Sequence, residues 1–512
     1  MGILAALLAV LLAVPAHAAK QCAEPGADWE RATPAEAGFD PAKLQSALDY
    51  GSSQASFAIR VYRHGCLVGE DRFAPANRNQ RFESWSMAKS VTSMLFGRAM
   101  TLGLISPDDP VGSLVAEADR DHGVISMRDL LTMTSGLEWN GFRDYNVFTM
   151  PDRVHDALTL RPVHPTGTYY EYAQSTVALL AEATGRAAGE DPQAFFQREL
   201  LNTLGIPEGS WHWERDKAGH IAGFMGVNMR PDDFGRLGEL LRRGGVWRGE
   251  RLLSQEYVRD AVAPSRTNGC YGWLIWLNAG QPCVGVRIES RSVTDTREWP
   301  DMPVDLYRFS GLFGQLVTVF PSQGIVVVRT GQDPGLVNFS GGTGWEHDLY
   351  EKILASITDQ KPDPAGEGGA KSPGVDRSNP DTGFQNALFE PDRYQQGVNQ
   401  DPLPPAGPRR ARAAQVALAR ARASRTGVVS VRLGCPPRGG TGGCIGRARL
   451  DGATKRVAYN AAPGTSRTLR FKLSARRLKQ LRKGGSLELG VVALNRAEGG
   501  STVTRRALTV RR

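Results

Sequence analysis

Beyond its first nineteen residues the chain has no run of about 18 apolar side chains, so the remainder offers no helix able to span a bilayer. Cysteine is scarce, six in 512 residues, with no C-x-x-C pair and no histidine at ligand spacing. That argues against a zinc site, and no metal or organic cofactor is expected. A Gly-x-Ser-x-Gly elbow is missing, which argues against an α/β-hydrolase-type Ser-His pair built on His122, His164 or His220. No internal repeat points to a solenoid or propeller. Acidic residues are nearly absent from the C-terminal end: residues 401–512 hold 25 Lys plus Arg against 4 Asp plus Glu, a balance of +21. The net charge of +9 therefore conceals a main body that is itself acidic.

The opening MGILAALLAVLLAVPAHAA is apolar and ends in Ala16-His17-Ala18, a small-x-small cleavage pattern. Residues 1–18 are expected to be an export signal, and the protein to be secreted or held at the cell surface or in the periplasm. The segment lacks a leading Lys or Arg, so an uncleaved anchor is the alternative. Six cysteines fit an oxidising compartment, and their order suggests pairs Cys22–Cys66, Cys270–Cys283 and Cys435–Cys444.

Residues 57–73, FAIRVYRHGCLVGEDRF, read as two hairpin strands around a His-Gly-Cys turn. Strand-like runs return at Tyr271–Leu277, Gln315–Phe320 and Gly324–Thr330, whereas residues 86–262 read mostly as helices and loops. Trp345–Ile357 has the spacing of a closing helix. The expected fold is thus α/β, an antiparallel sheet flanked by helices with an inserted helical region, over residues 25–358. Residues 359–410, rich in Pro, Gly, Asp and Asn, read as a disordered linker. The basic Ala-rich stretch that follows is either helical or solvated. Alternating runs at Val428–Leu433, Ile445–Leu450, Thr468–Leu473, Leu487–Val492 and Thr502–Val510 then suggest a small basic β-sandwich-like domain over 411–512.

The chemistry-bearing feature is Ser86-Met87-Ala88-Lys89, followed by Val91, Met94, Leu95 and Ala99 at helical spacing. Ser86 and Lys89 then share one helix face. A serine in the first turn meets unpaired backbone N–H groups and the positive end of the helix dipole, and a lysine one turn on reaches its hydroxyl. A buried lysine loses its proton more easily and can take that of the serine. With 11 lysines in the chain, a chance Ser-x-x-Lys is expected about once, so the spacing alone also fits an N-cap serine beside a surface lysine.

The text around it decides otherwise. Ser84-Trp85-Ser86-Met87-Ala88-Lys89-Ser90, Gly103-Leu104-Ile105, Asp108-Asp109-Pro110-Val111 and Ile125 to Leu137 (ISMRDLLTMTSGL) together resemble the serine β-lactamase and penicillin-recognising superfamily. The likeness spans roughly residues 30–357 and is strongest to class C-like esterases and 6-aminohexanoate-oligomer hydrolases. It implies Tyr172, in Tyr170-Glu171-Tyr172-Ala173-Gln174, as a general base beside Lys89, with Gln174, at a substrate-binding position, replacing the family's usual Asn. It also implies that Phe309-Ser310-Gly311 stands where the family carries Lys/His-Ser/Thr-Gly against substrate, and that the N–H groups of Ser86 and Leu312 receive the oxyanion. The strand cation is missing at Phe309, which argues against efficient β-lactam turnover. The segments at 225–238 and 244–249 resemble structural parts of the family.

The expected function is hydrolysis of a small ester or linear amide by a Ser86 acyl-enzyme, with Trp139, Trp273, Trp276 and Phe313 as candidates for an apolar acyl pocket. A cell-wall D-alanyl-peptide carboxypeptidase or β-lactamase keeps the same nucleophile and is the enzymatic alternative. An inactive sensor or surface-binding protein is the non-enzymatic one. The basic C-terminal domain is expected to favour an anionic wall or surface polymer, with no specific nucleic acid, or else to be a solubilising appendage without a ligand.

Overall fold

The computed structural model describes residues 19–26, 28–139, 141–146, 149–286, 292–332, 344–360, 369–378, 415–416, 420–435, 444–455, 457–461, 465–497 and 500–511. Helix α1 (Pro41–Ser53), strands β1 (Ser56–Arg63) and β2 (Cys66–Glu70) and helix α2 (Met87–Thr101) come first. A mainly helical region follows, including α3 (Gly141–Asn146), α4 (Ser175–Ala188) and α5 (Pro231–Arg242). Strands β3 (Trp276–Leu277), β4 (Tyr307–Gly311), β5 (Gln315–Phe320) and β6 (Ile325–Gly331) then lead to helix α6 (Trp345–Ala355). The six strands form one antiparallel sheet in the order β2-β1-β6-β5-β4-β3. The N-terminal hairpin therefore pairs with the late strand β6, and the helical region is inserted between the two halves of the sheet.

Period-two alternation gives this sheet two apolar faces. Ile59, Val61, Leu316, Ile325 and Val327 pack with Leu44 and Leu48 of α1 and Leu349 and Ile353 of α6. Tyr62, Val317, Val319, Val326 and Val328 face the other way, into the core shared with α2 and α5. Full burial of each such side chain contributes about 1.5–3 kcal/mol. Helix α2 is the central element: every residue from Met87 to Ala99 is buried. Its inward polar side chains find backbone acceptors, Ser90 on the Leu274 carbonyl (2.7 Å) and Thr92 on that of Gly223 (2.6 Å), so their burial costs little.

The Arg230-Pro231-Asp232-Asp233 opening of α5 is structural, as expected. Asp232 accepts from Arg60 (2.9 Å) and from the Tyr62 hydroxyl (2.6 Å), tying α5 to β1, and Asp233 pairs with Arg230 and Arg236 at 2.7 Å each.

Disulfides join Cys22 to Cys66 and Cys270 to Cys283, in agreement with an oxidising, exported environment. For the third expected pair, the Cys444 side chain lies outside the described residues, as does the apolar segment 1–18. No helix among the described residues is long and apolar enough to cross a membrane.

Four expectations need correction. Only Trp276–Leu277 of the run Tyr271–Leu277 is a strand; Leu274 lies at φ +57° and the chain folds back on itself to bridge Tyr271 with Trp276. The stretch assigned to a disordered linker is in part docked. Lys371 and Ala370 pair in parallel with Gln281 and Gly280, the Ser372 hydroxyl donates to the Ser265 carbonyl (2.7 Å), and Ser372 is buried. These contacts are mostly backbone, so no apolar pattern announced them. Among the described residues, the basic Ala-rich stretch, expected to be helical or solvated, has short strands at Gln415–Val416 and Arg420–Arg422. A helix, α7 (Ala475–Gly484), lies within the C-terminal region, capped by Ser474; its largely basic sequence concealed the two leucines that face inward.

That region otherwise matches the expected strands: β7 (Val428–Gly434), β8 (Cys444–Leu450), β9 (Ser466–Lys472), β10 (Ser486–Ala497) and β11 (Gly500–Arg511). They belong to a three-stranded and a five-stranded sheet enclosing a core of their own, with Val431, Phe471, Leu450, Val491 and Val510.

Removing Asp232 leaves the Tyr62 hydroxyl without its acceptor and the buried Arg60 with Glu70 (3.0 Å) and the Ala74 carbonyl as partners. The Asp232→Ala protein is expected to lose about 1–3 kcal/mol, read as a lower unfolding midpoint. An unchanged midpoint would show the pair to be dispensable.

Candidate active site

The turn that presents Ser86 is held from both sides. Trp85 sits at φ +46°, a conformation that costs a non-glycine residue about 1–3 kcal/mol and persists only where surroundings enforce it. Glu83 is part of that enforcement, accepting from the Trp85 N–H (3.0 Å), the Gly226 N–H (2.7 Å) and the Asn228 amide (3.0 Å). Burial pushes its carboxyl up to about 7 despite these donors. Ser86 occupies the N-cap position of α2, but its side chain caps nothing. Its hydroxyl instead meets the Lys89 Nζ at 2.9 Å, so the reading of a capping serine beside a surface lysine is excluded.

Lys89 is 1% exposed. Its nitrogen also bonds the Gln174 Oε1 and the Phe224 carbonyl (3.4 Å), and lies over the Tyr172 ring, 4.6 Å from its centroid. Burial pulls the ammonium down from 10.5 to about 7, against the opposing influence of Asp144. Tyr172 is wedged between Tyr271 and Trp276, with centroids 6.1 and 5.7 Å away. Ser86, Lys89, Tyr172 and Gln174 are therefore brought together, with the Gln174 oxygen, expected at a substrate-binding position, turned to the lysine.

The end of β4 closes on the same turn. A Cβ on Gly311 would lie 2.2 Å from the Ser84 carbonyl and 3.2 Å from the Met87 nitrogen, so only glycine lets the strand approach the nucleophile turn this closely. Leu312 follows, 38% exposed, then Phe313 at φ +63° with its ring edge-on to Trp85 at 5.2 Å. This bend is anchored by Arg329, which donates to the carbonyls of Phe313 (3.2 Å) and Gly314 (2.6 Å) and stacks on Trp345 at 4.3 Å. Ser310 is half-buried and Phe309 fully enclosed in the main apolar cluster.

A family model described as Beta-lactamase matches residues 45–343. The chain belongs to the β-lactamase family. This is a family of serine hydrolases with esterase, carboxypeptidase and β-lactamase members. Among solved structures, the β-lactamase-family chain is similar to a Bacillus anthracis protein described as a candidate 6-aminohexanoate-dimer hydrolase, with 15% identity and a TM-score of 0.50, covering 66% of this chain and 89% of that one. A candidate β-lactamase from Bacteroides dorei gives 17% identity, a TM-score of 0.48 and coverage of 63% and 100%. A penicillin-binding protein homologue from Caulobacter crescentus gives 15%, 0.47, 62% and 97%. At such identities the likeness is one of fold. No curated protein matches the chain.

Of the candidate pocket aromatics, Trp276 and Phe313 border the site, and Trp139 donates to Asp144 (3.2 Å) beside it. Trp273 does not: it is buried against Phe96 and Tyr257, beneath α2. The three histidines are engaged elsewhere, His122 with Asp119, His220 with Glu182 and His164 stacked on Tyr169. Sequence reasoning missed Glu83, Asp144 and Arg329, each of which reaches the site through tertiary contacts that no local motif announces.

Gly311→Ala is expected to cost about 1–3 kcal/mol, because the added methyl group meets backbone that cannot yield cheaply. It should also slow labelling of Ser86 by a fluorophosphonate, and wild-type labelling kinetics would show that the close approach is not needed.

Proposed function

We propose that the protein is an exported serine hydrolase that cleaves a neutral ester or linear amide through a Ser86 acyl-enzyme. The observation that carries this reading is the buried Lys89 amine, 2.9 Å from the Ser86 hydroxyl and titrating near neutrality. In its neutral form the amine, with Tyr172, takes the hydroxyl proton as Oγ bonds to the substrate carbonyl carbon. The N–H groups of Ser86 and Leu312 receive the oxyanion, each worth about 3–4 kcal/mol where such donors have been removed in other enzymes. Collapse expels the alcohol or amine, which leaves with a proton delivered through Tyr172. Water then attacks the acyl-enzyme by the same proton path and restores Ser86.

An uncharged acyl group is supported by the surroundings: Trp85, Leu312, Phe313 and Trp276 border the site, and no Lys, Arg or His stands in the Phe309-Ser310-Gly311 stretch. This disfavours the carboxypeptidase and β-lactamase alternative, whose substrates carry a carboxylate.

Ser86→Ala is expected to reduce release of p-nitrophenol from short-chain esters by about 10⁴-fold or more. Wild-type kcat/KM should fall about tenfold per pH unit below about pH 7 and level above it, because protonation of Lys89 removes the base. Faster turnover of a chromogenic cephalosporin than of esters and linear aminohexanoate amides would overturn the substrate reading. A lasting acyl adduct without turnover would make the protein a sensor.

We further propose that the C-terminal domain adsorbs to an anionic cell-wall polymer through one face of its three-stranded sheet. Along β7 and β9, buried Val429, Val431, Leu469 and Phe471 alternate with exposed Ser430, Arg432, Arg470 and Lys472, and Ser430 lies opposite Arg470. Neither strand nor α7 contains an acidic residue. Arginine forks suit phosphate or carboxylate groups. Retention on isolated walls is expected at low salt, with loss at 1 M salt and in the Arg432→Glu/Arg470→Glu/Lys472→Glu variant. No retention at low salt, or tighter binding to duplex DNA, would refute it.

A further inference from the structure

Helix α4 begins with an unusual division of labour. Gln174 occupies its N-cap position with helical backbone (φ −80°, ψ −46°), yet its side chain makes no capping bond. The amide oxygen is turned instead onto the Lys89 nitrogen. The first N–H groups of the helix, which lack intrahelical partners, are taken by a residue thirty positions upstream. Asp144 Oδ1 accepts from the N–H of Gln174 (2.8 Å) and approaches that of Ser175 (3.5 Å), and its Oδ2 accepts from Trp139 Nε1 at 3.2 Å. Asp144 is itself 5% exposed, on the short helix α3.

We propose that Asp144 is a positioning residue for catalysis: by capping α4 in place of Gln174 it frees the Gln174 oxygen to hold Lys89, and its charge tunes the protonation of that lysine. This rests on the reading of Ser86 and Lys89 as nucleophile and base. Two consequences are separable. The hydrogen bonds fix the start of α4, and with it Gln174 and, two residues earlier, Tyr172. The charge acts through a poorly solvated path, in which opposite charges interact far more strongly than in water. Ionised Asp144 favours the ammonium of Lys89 and so opposes the burial that lowers it; burial in turn pushes Asp144 up to about 6. The other groups facing Lys89 are the Ser86 hydroxyl, the Phe224 carbonyl and the rings of Tyr172 and Phe224, with Arg153 beyond, 5.6 Å from the Phe224 centroid. Arg143, beside Asp144 in sequence, is committed to Asp156 at 2.6 Å.

The sign of the effect follows. Asp144→Asn keeps an oxygen for the Gln174 and Ser175 N–H groups and removes the charge, so Lys89 should lose its proton more easily. The acid limb of the kcat/KM profile is then expected to move to lower pH, raising the activity at pH 6 relative to pH 8 by about twofold to fivefold, about fivefold corresponding to one full unit. Asp144→Ala removes the cap as well and is expected to lower kcat about 10–100-fold with a smaller change in KM, since a misplaced base affects the reacting geometry. A merely structural carboxylate would alter melting without moving the limb. An Asn variant whose limb stays within about 0.2 unit of wild type, measured on p-nitrophenyl acetate, overturns the proposal, and it decides the matter even if the Ala variant fails to fold. Ser86→Ala, assayed alongside, separates the two failures: persistent activity there would refute the nucleophile reading, whereas loss of activity with an unmoved limb in Asp144→Asn would refute only the role of Asp144.

Discussion

An ammonium group out of water is the constraint around which the rest of this site is arranged. Lys89 is enclosed on a helix whose first thirteen residues are all buried, and desolvation of a full charge is too expensive to leave uncompensated. The chain meets it in two ways. Polar oxygens from three separate elements, Ser86, Gln174 and Phe224, surround the nitrogen, and the proton itself is held loosely enough to leave near neutral pH. The second response turns a structural cost into chemistry, because an amine that is neutral at pH 7 is a base beside a hydroxyl. The aromatic enclosure by Tyr172 and Phe224 keeps water from restoring the ordinary lysine behaviour.

Helix α2 must also meet the end of a β-strand, and that junction explains several side chains with no chemistry of their own. Gly311 removes the Cβ that would strike the Ser84 carbonyl, while Arg329 gathers carbonyls of the following bend from below. Arg329 is fully buried, and its ties to the Phe313 and Gly314 carbonyls replace water for each of these groups. Glu83 plays the matching part on the helix side by holding the Trp85 N–H through its left-handed turn. The orientation of the Leu312 and Ser86 amides thus depends on a buried cation and a half-buried carboxylate acting from opposite sides.

How much of this could be read beforehand follows the range of the interactions. Ser86 and Lys89 were legible because three residues make one helical turn, and the sheet because β1, β5 and β6 carry dense β-branched runs bounded by turn residues. Family likeness supplied Tyr172, Gln174 and the strand Phe309–Gly311. Glu83, Asp144 and Arg329 were not legible: each acts on backbone groups, which carry no side-chain signature, and their partners lie 30 residues away for Asp144, 143 for Glu83 and 275 for Arg329. The same reason explains residues 369–378, which dock by main-chain pairing, and the failed strand at Tyr271–Ile275, where a left-handed Leu274 prevailed over strand propensity. Helix α7 escaped notice for the opposite reason, since its local signals were present but its charge suggested a solvated segment.

The charge pattern of β4 bears on what the site can accept. The strand does carry a cation, Arg308, one residue before Phe309, but alternation sends it to the opposite face. There it is bound to Glu298 at 2.5 Å, lies 3.4 Å from Glu346 and stacks on Trp299 at 4.3 Å. A guanidinium so paired, and 7% exposed, cannot swing through the sheet to meet a substrate carboxylate. The ionisable group beside the nucleophile on the helical side is Lys89, already committed to Ser86, Gln174 and Phe224, with Asp144 behind it at the start of α4. Among the described residues the cation of β4 is thus no partner for a substrate carboxylate, which would then lose hydration without compensation, and this supports the proposed preference for neutral acyl groups.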